Sequence, residues 1–469
     1  MLLRIARKEF LDLARDGRLR WAGVTIGGLL LVSLAAGVTA SRAATAERDA
    51  AQSQMAAWWY KQPPKNAHSA AHYGLWAFKP MPVLSYVDRG VDPYTGTATW
   101  LEAHRQNDFR FRPAMDMAAL QRFGDWTAAS VLQALIPLLV IVLAFSAFAG
   151  EREAGTLRQL ASLGVPARVL VAGKALGVVG ALAVVLVPAA LLGSAALLAG
   201  AGARDVARFV ALSGLYLGWF ALVLAVTLAV SLTAGSARRA LLLLLGLWAF
   251  NSMVAPRIAT SVGAMIHPTP SRVNFTASVD RALAQGLDGH DPAGERAQRL
   301  EAELFAKYNV RDRTALPVNF DAVAMQASEE HADEVFDHHF GRLHEQYRDQ
   351  NRVQQVAAIA APLLSVRFLS SVIAGTDLES HRAFAVASEA YRRLIQVRMN
   401  GWLARNTKIG DTFRVRSDST LWAEVPPFEY TAPVLTTSLG WYRVSIAVLA
   451  AWLALAIGYL ASRRRLPVL

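Results

Sequence analysis

Six long apolar runs decide what this chain can become. They lie at 21–40, 130–149, 169–201, 206–234, 240–264 and 441–461. Each is about twenty residues or longer and nearly free of charge, the length a helix needs to cross about 30 Å of hydrocarbon. The expectation is an all-α membrane protein with six transmembrane helices. The whole chain of 469 residues is 54% hydrophobic, with a mean hydropathy of +0.28. A net charge of +12 would suggest nucleic acid in a soluble protein. Here the basic residues sit beside the apolar runs, where the lipid bilayer and its anionic headgroups account for them, so no nucleic-acid partner is expected. The absence of cysteine excludes disulfides, thiolate nucleophiles and cysteine-ligated metals.

The first twenty residues do not read as a cleavable signal. They carry Glu9, Asp12 and Asp16 among the bases and run too long before the first apolar stretch. In LLRIARKEFLDLARDGRLRW, Leu2, Ile5, Phe10, Leu13 and Leu19 fall near one helical face, which predicts an interfacial helix over 1–20. Basic residues recur in that segment, at 150–168, in the SARRA turn at 236–240 and in the tail at 462–469. Six spans place all four on one side, and the positive-inside rule makes that side the cytoplasm, with both termini there. The turn bearing Arg204 and Arg208 disagrees mildly. Lys174, near the start of the third run, reads as a charge that snorkels.

Two polar stretches, 41–129 and 265–439, then lie outside, enough chain for one domain assembled from both. The second reads as mainly helical, with a stripe of Phe384, Ala387, Ala390, Tyr391 and Leu394 and a stop at Asn400-Gly401. VAAIAAPLLSVRFLSSVIAG contains Pro362 and Arg367. A seventh crossing there would put the basic tail outside, so a buried or interfacial helix pair is expected. The first stretch, rich in aromatics, Pro and Gly, reads as a loop-rich cap resting on the membrane interface or the helical part. Alternatively its aromatics line a surface for an apolar or lipidic substrate.

Catalytic motifs are mostly missing. Gly173-Lys174 is followed by Ala175, and position 168 is Arg, so no phosphate-cradling loop forms and this chain is not expected to hydrolyse ATP. His344-Glu345 is followed by Arg348 where a zinc hydrolase needs a second His. Gly-x-Ser-x-Gly is absent. In EEHADEVFDHHF, Glu330, His331, Glu334, Asp337 and His338 could share a helix face, with His331, Glu334 and His338 spaced as metal ligands. The plainer reading is a solvated acidic face. Few charges lie inside the spans, which argues against an ion-coupled carrier. Gln133 and Asn251 are the main amides at depth. They read as interhelical hydrogen-bonding groups or as contacts on a translocation path.

The segment GEREAGTLRQLASLGVPARVLVAGKALG follows the second run directly. Glu151 and Glu153 suit a helix start, and Gly164 to Pro166 ends the helix before the chain re-enters the membrane. Such an elbow, held at both ends, transmits force. Glu151, Arg152, Glu153, Gly155, Thr156 and Leu157, then Pro166, then Gly173 and Lys174 resemble the recurring phrase of ABC-2 type transporter permease subunits. ARKEFLDLARD at 6–16 is similar to that family's opening helix. LPVNFDA at 316–322 and LLSVRFLSSVIAGTDLESHRAF at 363–384 resemble a branch with a large extracytoplasmic domain of unknown function.

The resemblance implies a permease subunit in a bacterial inner membrane, with an ABC ATPase docked on the elbow through Glu151 to Arg158 and Pro166. Arg7, Lys8, Glu9 and Asp12 would give a second contact. It also implies two ATPase subunits, a second copy of this chain or a paralogous permease, and export as the direction. ATP and Mg would belong to the partner, with no cofactor in this chain. Two alternatives stand beside it. One transmits motion to an extracytoplasmic partner without passing substrate; the other is a membrane-anchored metal-dependent hydrolase at 330–338.

Overall fold

The computed structural model describes residues 1–116, 127–198 and 202–463. The ends of the third apolar run and of the tail, and part of the first polar stretch, lie outside the described residues. Among the described residues, six helices are long and apolar enough to cross a membrane: Leu19–Lys61, Ala128–Glu153, Ala167–Leu198, Ala203–Thr233, Ala237–Ile266 and Arg443–Ser462. The second and fourth are the most enclosed, and the sixth is the least, with few fully buried residues. Leu139, Val140 and Leu143 of span 2 pack with Leu224, Leu228 and Leu232 of span 4 at the centre of the largest apolar core. Exposed apolar faces on spans 5 and 6 suit lipid or another protein.

The first span does not stop at the membrane boundary expected near residue 40. It continues as one helix to Lys61, because the Ala-rich stretch that follows carries no Gly or Pro until Pro63. Its far end delivers Trp59 into a second apolar core, where it meets Trp422 edge-on at 6.3 Å and donates Nε1–H to the Trp422 carbonyl at 3.1 Å. That core joins Ala67, Leu75 and Leu101 of the first polar stretch to Ala322, Phe384, Ile395 and Leu403 of the second. The two stretches therefore make one domain.

Its frame is two long helices, Phe320–Ala357 and Leu378–Asn406. Asn319 caps the first, and its amide nitrogen donates to Thr407 Oγ1 at 2.6 Å, the Lys408 carbonyl at 2.9 Å and Thr412 Oγ1 at 2.7 Å. The apolar segment after it breaks at Pro362 and resumes as the buried helix Leu363–Ala374. Twelve residues extend only about 18 Å, too short to cross.

Three details depart from the sequence reading. The second long helix runs through Asn400-Gly401 to Asn406, since Asn400 is buried and donates to Gln326 Oε1 at 3.2 Å. Its most buried face mixes Phe384 of the expected stripe with Ser388, Arg392, Ile395 and Gln396, while Ala390 is exposed. Arg392 draws that face inward by pairing with Glu329, Asp333 and Glu389. The first polar stretch is also less loop-like than expected. It holds a short antiparallel sheet in the order β1-β2-β3, made of Leu75–Phe78, Ala98–Glu102 and Arg105–Gln106.

Candidate functional site: the elbow joint and the cavity at the opposite end

The elbow is two short helices, Ala149–Glu153 and Thr156–Ser162, joined at Gly155. Gly155 has φ +77°, a left-handed conformation that costs an L side chain about 1–2 kcal/mol. Each charged residue of the E-R-E phrase is tied to a different span. Glu151 Oε1 accepts from Lys174 Nζ of span 3 at 2.9 Å, and the same ammonium donates to Glu9 Oε2 at 2.8 Å. Arg152 donates to the Leu232 and Ala234 carbonyls at the end of span 4, both at 2.6 Å. Glu153 Oε1 accepts the Ala237 N–H at the start of span 5 at 3.2 Å. Leu157 is buried, and Thr156 Oγ1 donates to the Glu151 carbonyl.

Lys174 is 3% exposed, so it does not snorkel. The carboxylates of Glu9 and Glu151 compensate its charge inside the protein. The N-terminal helix Leu2–Arg15 reaches it by crossing span 3 where Gly173 and Gly177 stand. A Cβ on Gly173 would lie 2.6 Å from Ile5, and one on Gly177 2.5 Å from Glu9. Of the residues expected to meet a partner on this helix, Glu9 faces inward; Arg7, Lys8 and Asp12 are exposed, with Lys8 and Asp12 paired at 2.8 Å. On the elbow, Arg158, Gln159, Ser162, Leu163 and Pro166 face solvent, and Leu163 is 77% exposed. Gln159, Ser162 and Leu163 were not singled out by sequence reasoning. The helical alternation around buried Leu157 and half-buried Leu160 is the signal that could have found them.

Gln133 and Asn251 lie in matching places. Each sits in a π-helical turn, Val131–Leu135 and Phe250–Val254, one turn before Pro137 and Pro256. Proline lacks an N–H and crowds the carbonyl four residues back, so the helix widens there. The released carbonyls find side-chain donors: Trp219 Nε1 to Gln133 at 3.4 Å and Arg367 Nη2 to Ser252 at 3.3 Å. Gln133 Nε2 donates to Tyr216 Oη at 3.3 Å, Tyr216 Oη lies 2.7 Å from Ser370 Oγ, and Ser370 donates to Asp88. This chain of polar groups runs from spans 2 and 4 into the polar domain. Among the described residues, Asn251 donates to the Leu247 carbonyl of its own helix, and its buried Oδ1 has no partner.

Gln133 also lines a large half-open cavity of about 1340 Å³ between the ends of spans 2 and 5 and the polar domain. The walls include Arg112, Arg367, Arg382, Asp337, His344 and His381. Burial, helped by the positive charges of Lys79, His344 and Arg112, pushes His381 down to about 3, so it is neutral at physiological pH. Glu379 sits beside the cavity wall. Burial pushes its carboxyl up, but hydrogen bonds from His344 and Arg348 outweigh that and hold it at about 2. Asn251 lines a separate small apolar cavity among spans 2, 4, 5 and 6. The two amides therefore do not share one path within a single chain.

His331, Glu334 and His338, spaced as metal ligands in the sequence, are not gathered into a cluster of donors. Glu334 and His338 face solvent, and Asp337 pairs with Arg393 at 2.7 Å. Among the described residues, the group of three donors within 4.8 Å of one another is His68, His72 and His104. His68 and His72 stand four apart on one short helix, a spacing legible in AHSAAHY.

Six apolar spans, a clamped elbow at one end and a cavity-bearing polar domain at the other define a polytopic membrane protein. A family model described as ABC-2 family transporter protein matches residues 3–272, and one described as a domain of unknown function, DUF3526, matches residues 272–431. The chain belongs to the ABC-2 transporter family and carries this additional domain. No curated protein matches it. The family makes it a multi-pass permease subunit, a transport component that works with an ABC ATPase.

Proposed function

We propose that this permease works as an exporter, as a homodimer or beside a paralogous permease, with one ATPase subunit seated on each elbow. The elbow face lies in the cytoplasm with both termini, and the polar domain projects from a bacterial inner membrane. One observation carries the reading: the elbow's outer surface is exposed while Glu151, Arg152 and Glu153 fasten its inner side to spans 3, 4 and 5. Motion delivered to Arg158, Gln159, Ser162 and Leu163 therefore reaches several spans at once. In this arrangement the E-R-E phrase is the frame and the neighbouring helix is the handle. Spans that switch between two packings would open and close the cavity around Gln133.

Leu163→Asp tests this directly. An exposed apolar contact becomes a charge, so ATPase co-purification is expected to fall tenfold or more while the permease keeps its melting temperature. Full ATPase binding and transport in that variant would remove the docking role.

The polar chain from Gln133 through Tyr216 and Ser370 to Asp88 favours a second reading, in which span motion drives the polar domain and its partner without substrate passage. Substrate density between two permease copies would exclude it.

A further inference from the structure

The three-histidine group is built like a metal site. Asn66 caps the helix Ala67–Tyr73, its Oδ1 accepting the His68 N–H at 3.0 Å. The Asn66 amide in turn donates to the carbonyls of Thr412 at 2.6 Å and Val415 at 3.1 Å, which holds the helix in place. On this helix the Nε2 atoms of His68 and His72 are only 3.0 Å apart. His104 comes from the β2–β3 turn with φ +64°, a left-handed backbone uncommon for a residue with a Cβ and found where a fold must aim a side chain.

Behind His104 stands Glu329, 1% exposed. Its carboxylate accepts the His104 backbone N–H at 3.0 Å and pairs with the ring at Nδ1. Arg392 anchors it from the other side at 3.3 Å. A carboxylate on one ring nitrogen leaves Nε2 for a metal and fixes the ring's orientation, the usual outer shell of a metal-bound histidine.

We propose that His68, His72 and His104 form a three-imidazole site for a divalent transition ion of zinc type, with the fourth position open to solvent. Zn–N distances of about 2.1 Å put tetrahedral ligand nitrogens about 3.4 Å apart. The group already holds its donors within 4.8 Å of one another, and His72 and His104 are exposed, so small ring rotations close the site and an ion enters without unfolding. Imidazole donors suit Zn(II), Cu(II) or Ni(II), whereas Mg(II) and Ca(II) prefer oxygen. The ion would tie the first polar stretch to Glu329 on the second.

The full chain, purified in detergent through a tag without histidine and stripped with chelator, is titrated with zinc sulfate by calorimetry and assayed for bound metal. One zinc per chain is expected, with a raised melting temperature. His72→Ala, an exposed position whose loss leaves the metal-free fold intact, should weaken binding tenfold or more. Glu329→Gln should weaken it about 10–100-fold. Absence of stoichiometric zinc overturns the proposal. So does zinc that survives His72→Ala and His104→Ala but is lost in His338→Ala.

Discussion

At the scale of single residues, the protein depends on charges satisfied where none would be tolerated alone. Lys174 is held by Glu9 and Glu151 at 2.8 and 2.9 Å. Removing one partner of a buried ion pair costs about 3–5 kcal/mol, because the remaining charge is stranded. Lys174→Met should therefore lower the melting temperature clearly and release the N-terminal helix to protease. An unchanged melting curve would mean that water screens the triad. His381 gives a pH signature. Its folded value of about 3 lies below the ordinary 6.5, so the unfolded chain binds more protons between those values. Stability from this group is complete above about pH 6.5 and drains away as the pH falls toward 3. His381→Gln should flatten that part of the acid-unfolding profile, read as melting temperature against pH.

At the scale of elements, the close crossing of the N-terminal helix on span 3 rests on two missing side chains. A leucine at Gly177 must displace Glu9 and the Ala6 carbonyl, which a Cβ would approach to 2.5 and 2.8 Å. Gly177→Leu should lift the helix and lower ATP-dependent transport severalfold. Gly155→Ala, with open space around it and only the backbone penalty to meet, should be milder. Transport assays on both variants separate the effects. This level also marks how far the sequence could be read. The spans and the elbow were legible because hydropathy and turn residues are local signals. Lys174 was misread because its partners sit 165 and 23 residues away. The π turns were signalled by Pro137 and Pro256, but which donors would take up the released carbonyls depends on packing. Histidines recur at helical spacing both at 331–338 and at 68–72. Only the fold decides which of two similar spacings faces a third ligand.

At the scale of the whole molecule, one chain places an exposed elbow and a two-part domain at opposite ends of six spans. The sequence has no cysteine, so single introduced thiols report topology cleanly. Ser162→Cys should react with impermeant maleimide only in inside-out vesicles, and Ser419→Cys only in right-side-out ones. Equal labelling from one side would overturn the assigned orientation.

The first span links these ends as one continuous helix, with a π-helical turn at Leu19–Gly23 at its foot. Its 43 residues form a rod of roughly 65 Å, about twice the hydrocarbon thickness. Pivoting at its foot by only about 5° would swing Trp59 sideways by roughly 5 Å, on simple helix geometry. Trp59 is wedged in the distal core, so that sweep must drag its surroundings along. A lever of this length can turn a small angular change near the elbow into a large displacement in the distal domain.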